Sequence, residues 1–492
     1  MSQTNTAPSS DRTRLDQFFH ISERGSTIGR ELRGGLATFF AMAYIVVLNP
    51  LIIGTHQDGT GLYLGGGAEP NLPAVAAATA LVGGLLTIMM GLVANFPMAI
   101  SSGLGLSALL TFGVATLPRM TWADAMGLVV IEGIILLILV LTGFREAIFR
   151  AVPAQLKTAI TVGIGLFIAL IGLVNSGFVR SGAGTPLELG IGGFLLGMPT
   201  LVFVLVLLAL LVMHTLKVKG AILYAIVGGT VLAIILEATL SIGPRGTDEA
   251  GQVTNPTGWG LGSPALPAEW IKLPDLSLIG NFDLLGSWSN VGVVACALAV
   301  FTLMLTNFFD LLGTMVAIGA EGKMLDKDNN VPGARRILIA DSIAAIGGGA
   351  GGVSANSGFV ESTVGVGDGA RTGLANVVTG LCLLLTTFLA PLAAVIPYEA
   401  AAPALVLVGF LMMQQVRGID WSDVEIALPA FVTIALMPFT YSITVGIGAG
   451  FILFAVLKVA RGKARQVHPL MWVTAALFIV YFVSGPITQA FV

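Results

Sequence analysis

Apolar residues along this chain gather in runs of about 20, the length of a membrane-spanning helix, set apart by short polar stretches. The first runs are about 35–53 and 73–93. A shorter run at about 102–113 follows Asn95-Phe96-Pro97, where the residue before proline disfavours helix, and it is too short to cross alone. Further runs follow at about 124–143, 153–175, 198–213 and 219–240. Residues 241–287 are polar and rich in Gly, Pro and Trp, and form the longest loop. Seven more runs come after it, at about 289–320, 336–350, 356–367 (short again), 371–396, 400–415, 424–439 and 441–460. A fifteenth apolar segment, 468–490, either spans or lies against the bundle or the interface.

Seven runs and seven, each set with a short third member, predict an internal repeat. Ser102-Gly103-x-x-x-Ser107 and Ser357-Gly358-x-x-x-Ser362 stand at corresponding places. An odd number of spans per copy makes the copies inverted, and paired discontinuous helices in inverted repeats are a transporter signature with the site at the midplane. The fold class is therefore an all-α polytopic membrane protein of 14 transmembrane segments in two inverted 7-span repeats.

Composition agrees. The 492 residues are 55% hydrophobic and 10% charged, with mean hydropathy +0.92, whereas soluble domains carry roughly a quarter charged residues. The net charge of -3 gives no reason to expect nucleic acid. Cys296 and Cys382 both sit in apolar runs and make no disulfide framework. The 63 glycines predict close helix packing and deliberate helix breaks. The polar first 34 residues read as a cytoplasmic tail without a cleavable signal peptide. Lys and Arg set the orientation. With the amino terminus inside, inner loops hold Arg145, Arg150, Lys217, Lys219, Lys323, Lys327, Arg335, Arg336, Arg461, Lys463 and Arg465, and the outer ones hold only Arg119, Arg180, Arg245 and Lys272.

The candidate chemistry sits around GGGAGGVSANSGFVES, 347–362. Carboxylates inside spans are costly and usually functional. Asp310 lies mid-span in TNFFDLLGT, and Glu361 lies about one turn into the short helix expected to start near Asn356. A helix amino terminus favours the anion and burial favours the neutral acid, so a carboxyl balanced between them can exchange a proton. Asn307, one turn before Asp310, either bonds a ligand or joins helices. Glu132 and Asp341 read as structural, His214 as solvated, and Met412 and Met413 as packing. No GxxxxGK[ST], HExxH or paired CxxC occurs, which argues against ATP-driven pumping and leaves no nucleophile–base pair or metal cluster for an intramembrane enzyme. No row of spaced arginines points to a voltage sensor.

At GLATFFAMAYIVVLNP (35–50), SGLGLSALLTFG (102–113), LKTAITVGIGLFIALIGL (156–173), FFDLLGT (308–314), SGFVESTVGVGDGARTGL (357–374), APALVLVG (402–409) and LPAFVTIALMPFTYSI (428–443) the chain resembles the AzgA-type nucleobase:cation symporters, the adenine/guanine/hypoxanthine permeases. The resemblance covers nearly all of 30–490. It implies a tail (1–34), a core domain of spans 1–4 (35–150) and 8–11 (288–397), a gate domain of spans 5–7 (151–240) and 12–14 (398–467), an outer loop (241–287) and an extra carboxyl-terminal segment (468–492). It also implies a short extended segment before each half-helix of spans 3 and 10, with the purine held between them and Asp310 and Glu361 as the acidic pair. The substrate-binding set expected is Glu361, Asp310, Phe359, Val360, Gly358, Ser107, Leu104, Gly105 and Asn307. Glu361 and Asp310 are also expected to couple protons, with no metal and no other cofactor, and with Na+ as the alternative cation. The function implied is import of a purine nucleobase by cation symport, with protons as the expected coupling ion, through elevator-like movement at the plasma membrane. The alternative is a same-fold carrier of xanthine, uracil, ascorbate or an anion. A homodimer is a candidate assembly. Ser102, Ser107, Leu311 and Val445 replace the family's usual Pro, Asn, Thr and Glu, which bears on the choice of base.

Overall fold

The computed structural model describes residues 13–143, 152–182, 184–247, 253–267, 269–326 and 331–490. Among them, ten helices are long and apolar enough to cross a membrane, and 104–115, 424–439 and 469–483 are shorter apolar helices. Arg145, Arg150 and Lys327 lie outside the described residues.

A short helix α1 (Arg14–Phe19) precedes α2 (Ile28–Met42), which begins ahead of the apolar run. Thr27 caps it by accepting from Arg30 N. Its polar Glu31 is fully buried because the carboxylate accepts from Arg371 N and Thr372 N, at 2.8 and 3.3 Å. The helix is interrupted at Ala43–Tyr44 and resumes as α3 (Ile45–Ile53), where Pro50 removes the bond to Val46. α4 (Leu72–Ala94) returns to the face where α2 began. Strand β1 (Ile100–Ser102) leads into α5 (Leu104–Leu109), which loosens into a π-turn over Leu110–Ala115. Then come α6 (Trp122–Thr142), α7 (Ala154–Asn175), α8 (Met198–Thr215) and α9 (Ala221–Leu240).

Two small strand pairs, β2 (Val179–Arg180) with β3 (Glu188–Leu189) and β4 (Gly246–Thr247) with β5 (Val253–Thr254), stiffen loops on the second face, opposite the first face where α2 begins. The long loop is anchored as well as polar. Trp259 is fully buried and donates to Glu237 Oε2 at 2.8 Å, and Gly260 N donates to Glu399 Oε1 at 2.9 Å. The short α10 (Gly286–Asn290) precedes α11 (Val293–Glu321), α12 (Ala334–Ala350), strand β6 (Asn356–Gly358) and α13 (Ser362–Gly367). α14 (Gly373–Thr386) runs into a 3-10 turn over Thr387–Val395. α15 (Tyr398–Met413), α16 (Val424–Phe439), α17 (Ile443–Ala460) and α18 (Pro469–Ala490) complete the chain, and α18 lies against α17 and α11.

One group of helices packs as α14 on α4 and α2, α12 on α6 and α4, and α13 on α2 and α11. Another packs as α15 on α7 and α8, and α16 on α7 and α17. Glycines set the spacing at the tightest crossings. A Cβ on Gly380 would stand 2.6 Å from the Gly84 carbonyl, and one on Gly373 would overlap the Gly91 carbonyl, so α4 and α14 touch backbone to backbone. Gly165 and Gly409 do the same for α7 and α15. At the first face Glu425 gathers Lys458 and Lys463 at 2.5 Å and Arg461 at 3.2 Å, so two of the expected loop anchors neutralise a buried carboxylate.

Candidate functional site

The glycine run 347–352 reverses the chain. α12 ends at Ala350, Gly352 and Ser354 take φ of 69° and 73°, and the backbone folds back over Gly348. A Cβ on Gly348 would stand 2.8 Å from Asn356 N. The returning segment is extended, and β6 pairs antiparallel with β1 in the register Ile100↔Gly358, Ser101↔Ser357 and Ser102↔Asn356. The expectation of a helix starting near Asn356 is therefore corrected. Residues 356–358 are strand, the helix starts at Ser362, and Glu361 is its N-cap instead of standing one turn inside. Likewise the helix expected from 102 starts at Leu104. Strand is chosen because each segment offers the other a row of backbone donors and acceptors that would otherwise stay unpaired at this depth.

Side chains satisfy what the strand pair leaves over. Thr87 Oγ1 donates to Ile100 O at 2.6 Å and accepts from Ile100 N at 2.9 Å. Ser362 Oγ accepts from Ala99 N at 3.0 Å, and Asn376 Nδ2 donates to Phe96 O and Met98 O at 2.8 and 2.9 Å. Asn49, fully buried in α3, donates to Thr79 Oγ1 at 2.9 Å and lies 3.3 Å from both Ser102 Oγ and Val353 O. Its Oδ1 accepts from Ser107 Oγ at 2.7 Å. Asp341 accepts from Ser357 Oγ at 3.1 Å.

Glu361 and Asp310 come together at the end of this break. α11 packs on β6 and α13, and the two carboxyls are close enough for their charges to interact. The Tyr44 hydroxyl, at the interruption between α2 and α3, donates to Glu361 Oε1. Asp310 is deep among protein atoms yet its side chain is open, Glu361 is half-buried, and Val360 is 48% exposed. Together they edge a cleft. Gly105 is half-buried, and a Cβ there would meet Ile164 and Met412 at 3.4 and 3.5 Å, so α7 and α15 lie against the start of α5. Phe359, Gly358 and Leu104 are buried beside it. The Phe359 amide is already used, since Phe359 N donates to Ala99 O at 2.9 Å. The first amides of α5 lack an intrahelical acceptor by the geometry of any helix start.

Ser107 and Asn307 are fully buried and engaged elsewhere, Ser107 with Asn49 and Asn307 with Glu132 Oε1 at 2.9 Å. Tyr44, Asn49, Thr87 and Asn376 were not singled out from the sequence. The available signal was a polar side chain inside an apolar run, which is itself expensive in lipid. Among the described residues, no group of three or more His, Cys, Asp or Glu could hold a metal ion.

Apolar helices surrounding two broken spans, whose strands cross and whose ends present carboxyls to a cleft, define a multi-pass membrane protein of the transporter class. The chain belongs to the Permease family (Xan_ur_permease), whose model matches residues 29–449. It is 35% identical over 472 residues to the guanine/hypoxanthine permease PbuG of Bacillus subtilis, covering 95% of this chain and 99% of that one. It is 33% identical over 484 residues to the adenine permease AdeP of Escherichia coli, covering 98% and 99%. The transmembrane domain of the cyanobacterial bicarbonate transporter BicA is similar in fold, with TM-score 0.56 at 18% identity over 86% of this chain and 97% of that chain. Membership of a permease family makes the chain a transport protein and not an enzyme.

Proposed function

We propose that this chain is a secondary active transporter that imports a purine nucleobase, hypoxanthine, guanine or adenine, by proton symport at the plasma membrane. The names of its relatives support the substrate class. The observation that carries the reading at the site is the Glu361 carboxylate, fixed by the Tyr44 hydroxyl at the junction of a broken span, with the open Asp310 side chain near enough for the two charges to interact.

A purine is flat, neutral and dense in donors and acceptors. Glu361 accepts from a ring N–H or exocyclic amine through the carboxylate oxygen that Tyr44 leaves free. Amides at Leu104 and Gly105, and at Val360, donate to a carbonyl oxygen or ring nitrogen of the base. Phe359 and Gly358 back the slot, with Ile164 and Met412 facing them. Asp310 accepts from the imidazole N–H or carries the coupled proton. A site of matched hydrogen bonds rejects analogues that lack them by large factors.

In this reading the helices fall into two inverted halves of seven spans, with the amino terminus cytoplasmic. The group holding β1 and β6 is the core, and it moves against the gate group of α7–α9 and α15–α17. A loaded, protonated core crosses more readily than a half-loaded one, which is what couples the two fluxes.

The test is uptake into proteoliposomes under an inward proton gradient, with labelled hypoxanthine, guanine, adenine, xanthine and uracil. Accumulation of a purine above empty vesicles is expected, and Glu361→Gln should abolish it. If no base accumulates, the nucleobase reading fails. If the Gln variant transports normally, Glu361 loses its role. If a sodium gradient alone drives uptake, the coupling ion is reassigned.

A further inference from the structure

Among the described residues two buried polar atoms without a partner belong to side chains that already touch. Asn307 Nδ2 donates to Glu132 Oε1 at 2.9 Å, while Glu132 Oε2 and Asn307 Oδ1 have no partner. Both residues are fully buried, Glu132 midway along α6 and Asn307 on α11. Beside Glu132, α6 is held in backbone contact with α12 at Gly133, where a Cβ would lie 2.7 Å from Ile346 N.

With Glu132 ionised, the two side chains that share this bond would each keep a buried acceptor, Oε2 and Oδ1, with no donor for either. The ionisable groups of the elements packed on α6 bring no cation to it. Asp341 on α12 interacts with Glu132 and with Asp310, and both are acids. Arg335 and Arg336 are exposed at the start of α12, where Arg335 reaches Leu141 O at the end of α6. Asp124, at the other end of α6, is bonded by Asn290 of α10, and Cys296 lies near it at the start of α11. A proton on Oε2 removes the conflict. A carboxylic acid donates from one oxygen and accepts at the other, and a primary amide does the same. One proton thus pairs both orphans and closes a ring of two hydrogen bonds.

We propose that Glu132 is a permanently protonated carboxylic acid whose two-bond ring with Asn307 fixes the rotation of α11 and so holds Asp310, three residues on, at the cleft. The proposal rests on the nucleobase-carrier reading and deepens it. Glu132 is a positioning residue, Asn307 is its partner instead of a ligand to the base, and the coupling proton is left to Glu361 and Asp310.

The isosteric test is E132Q. A glutamine amide donates to Asn307 Oδ1 and accepts from Nδ2, so the ring survives without a titratable proton. Proton-driven hypoxanthine accumulation by E132Q in proteoliposomes is expected within about twofold of the parent protein, with the same pH profile, while E132A loses about tenfold or more because Asn307 is left unpaired. N307D is expected to lose activity, and E132Q/N307D, which exchanges acid and amide, to regain it. Infrared difference spectra of parent protein against E132Q should show the carbonyl stretch of a protonated acid, unchanged from neutral to alkaline pH. The proposal is overturned if E132Q is monodisperse but loses accumulation while keeping counterflow, since Glu132 then carries the coupling proton. It is equally overturned if the infrared band disappears at alkaline pH. If the parent protein moves no nucleobase, the carrier reading fails, and the infrared band alone then decides the ring.

Discussion

Tyr44 and Glu361 stand 317 positions apart in the chain and share one hydrogen bond at the cleft. The hydroxyl fixes one carboxylate oxygen, so it orients the group. A hydrogen bond to a charged group is worth about 1.5–3 kcal/mol, and each 1.4 kcal/mol is tenfold in an equilibrium constant. Tyr44→Phe keeps the ring and removes only the donor. It should lower kcat/KM for the preferred purine by about tenfold or more at unchanged expression, and initial-rate uptake measures this. An unchanged rate would show that Glu361 orients itself. At this scale the sequence was legible where the signal is a charge. Asp310 and Glu361 stand out because ions are rare in spans. Tyr44 and Asn49 stand out less, because a lone hydroxyl or amide in an apolar run is a weaker mark than a charge, and its partner is fixed only when distant spans meet. Ser107 shows the same limit. It lies where the resemblance expects a ligand, and its hydroxyl is spent on Asn49.

Among the elements, the long helices follow the apolar runs closely, since lipid leaves a spanning segment few other ways to pair its backbone. α16 occupies the same 424–439 that the run occupies. The breaks were legible as breaks but not in kind. A short run of small residues fits a strand or a helix equally, and only the pairing of 100–102 with 356–358 decides. Glycine was legible in number and not in use. Gly373 and Gly91 let two helices touch, whereas nothing lies within 4 Å of a Cβ added at Gly228 on α9. Gly373→Ala should therefore cost about 1–3 kcal/mol, the price of overpacking, and lower the thermal midpoint of the purified protein, while Gly228→Ala leaves it in place. Equal midpoints would mean that the α4–α14 crossing gives way at little cost.

On the scale of the whole molecule, the two helix groups meet differently at the two faces. At the second face His56 and Phe112 from one group interlock with Phe167 and Tyr441 from the other. Their ring centroids are 4.7 Å apart for His56–Phe112, 5.4 Å for Phe112–Phe167, 5.7 Å for Phe112–Tyr441 and 5.2 Å for Phe167–Tyr441. Thr444 Oγ1 adds a bond to Gly113 O at 3.4 Å. Edge-to-face ring pairs are each worth about 0.5–1.5 kcal/mol beyond their burial, so this closure is substantial. At the first face Lys219 pairs with Asp368 across the groups, but the lysine is 58% exposed, and such pairs contribute about 0–1 kcal/mol. Under the proposed movement of core against gate, that contact would break on every cycle. Asp310 is open and Val360 is 48% exposed; with one side sealed by rings and the other joined by a weak ion pair, both should be reached from the face where α2 begins. Val360→Cys, in a background with Cys296 and Cys382 replaced, should react with a membrane-impermeant thiol reagent supplied from that face and resist it from the other. Saturating purine should slow the reaction by covering the residue. Loosening the seal with Tyr441→Ala should raise labelling from the second face, because the two groups then part more readily there. Labelling of Val360→Cys from the second face alone would reverse this assignment of which side is shut.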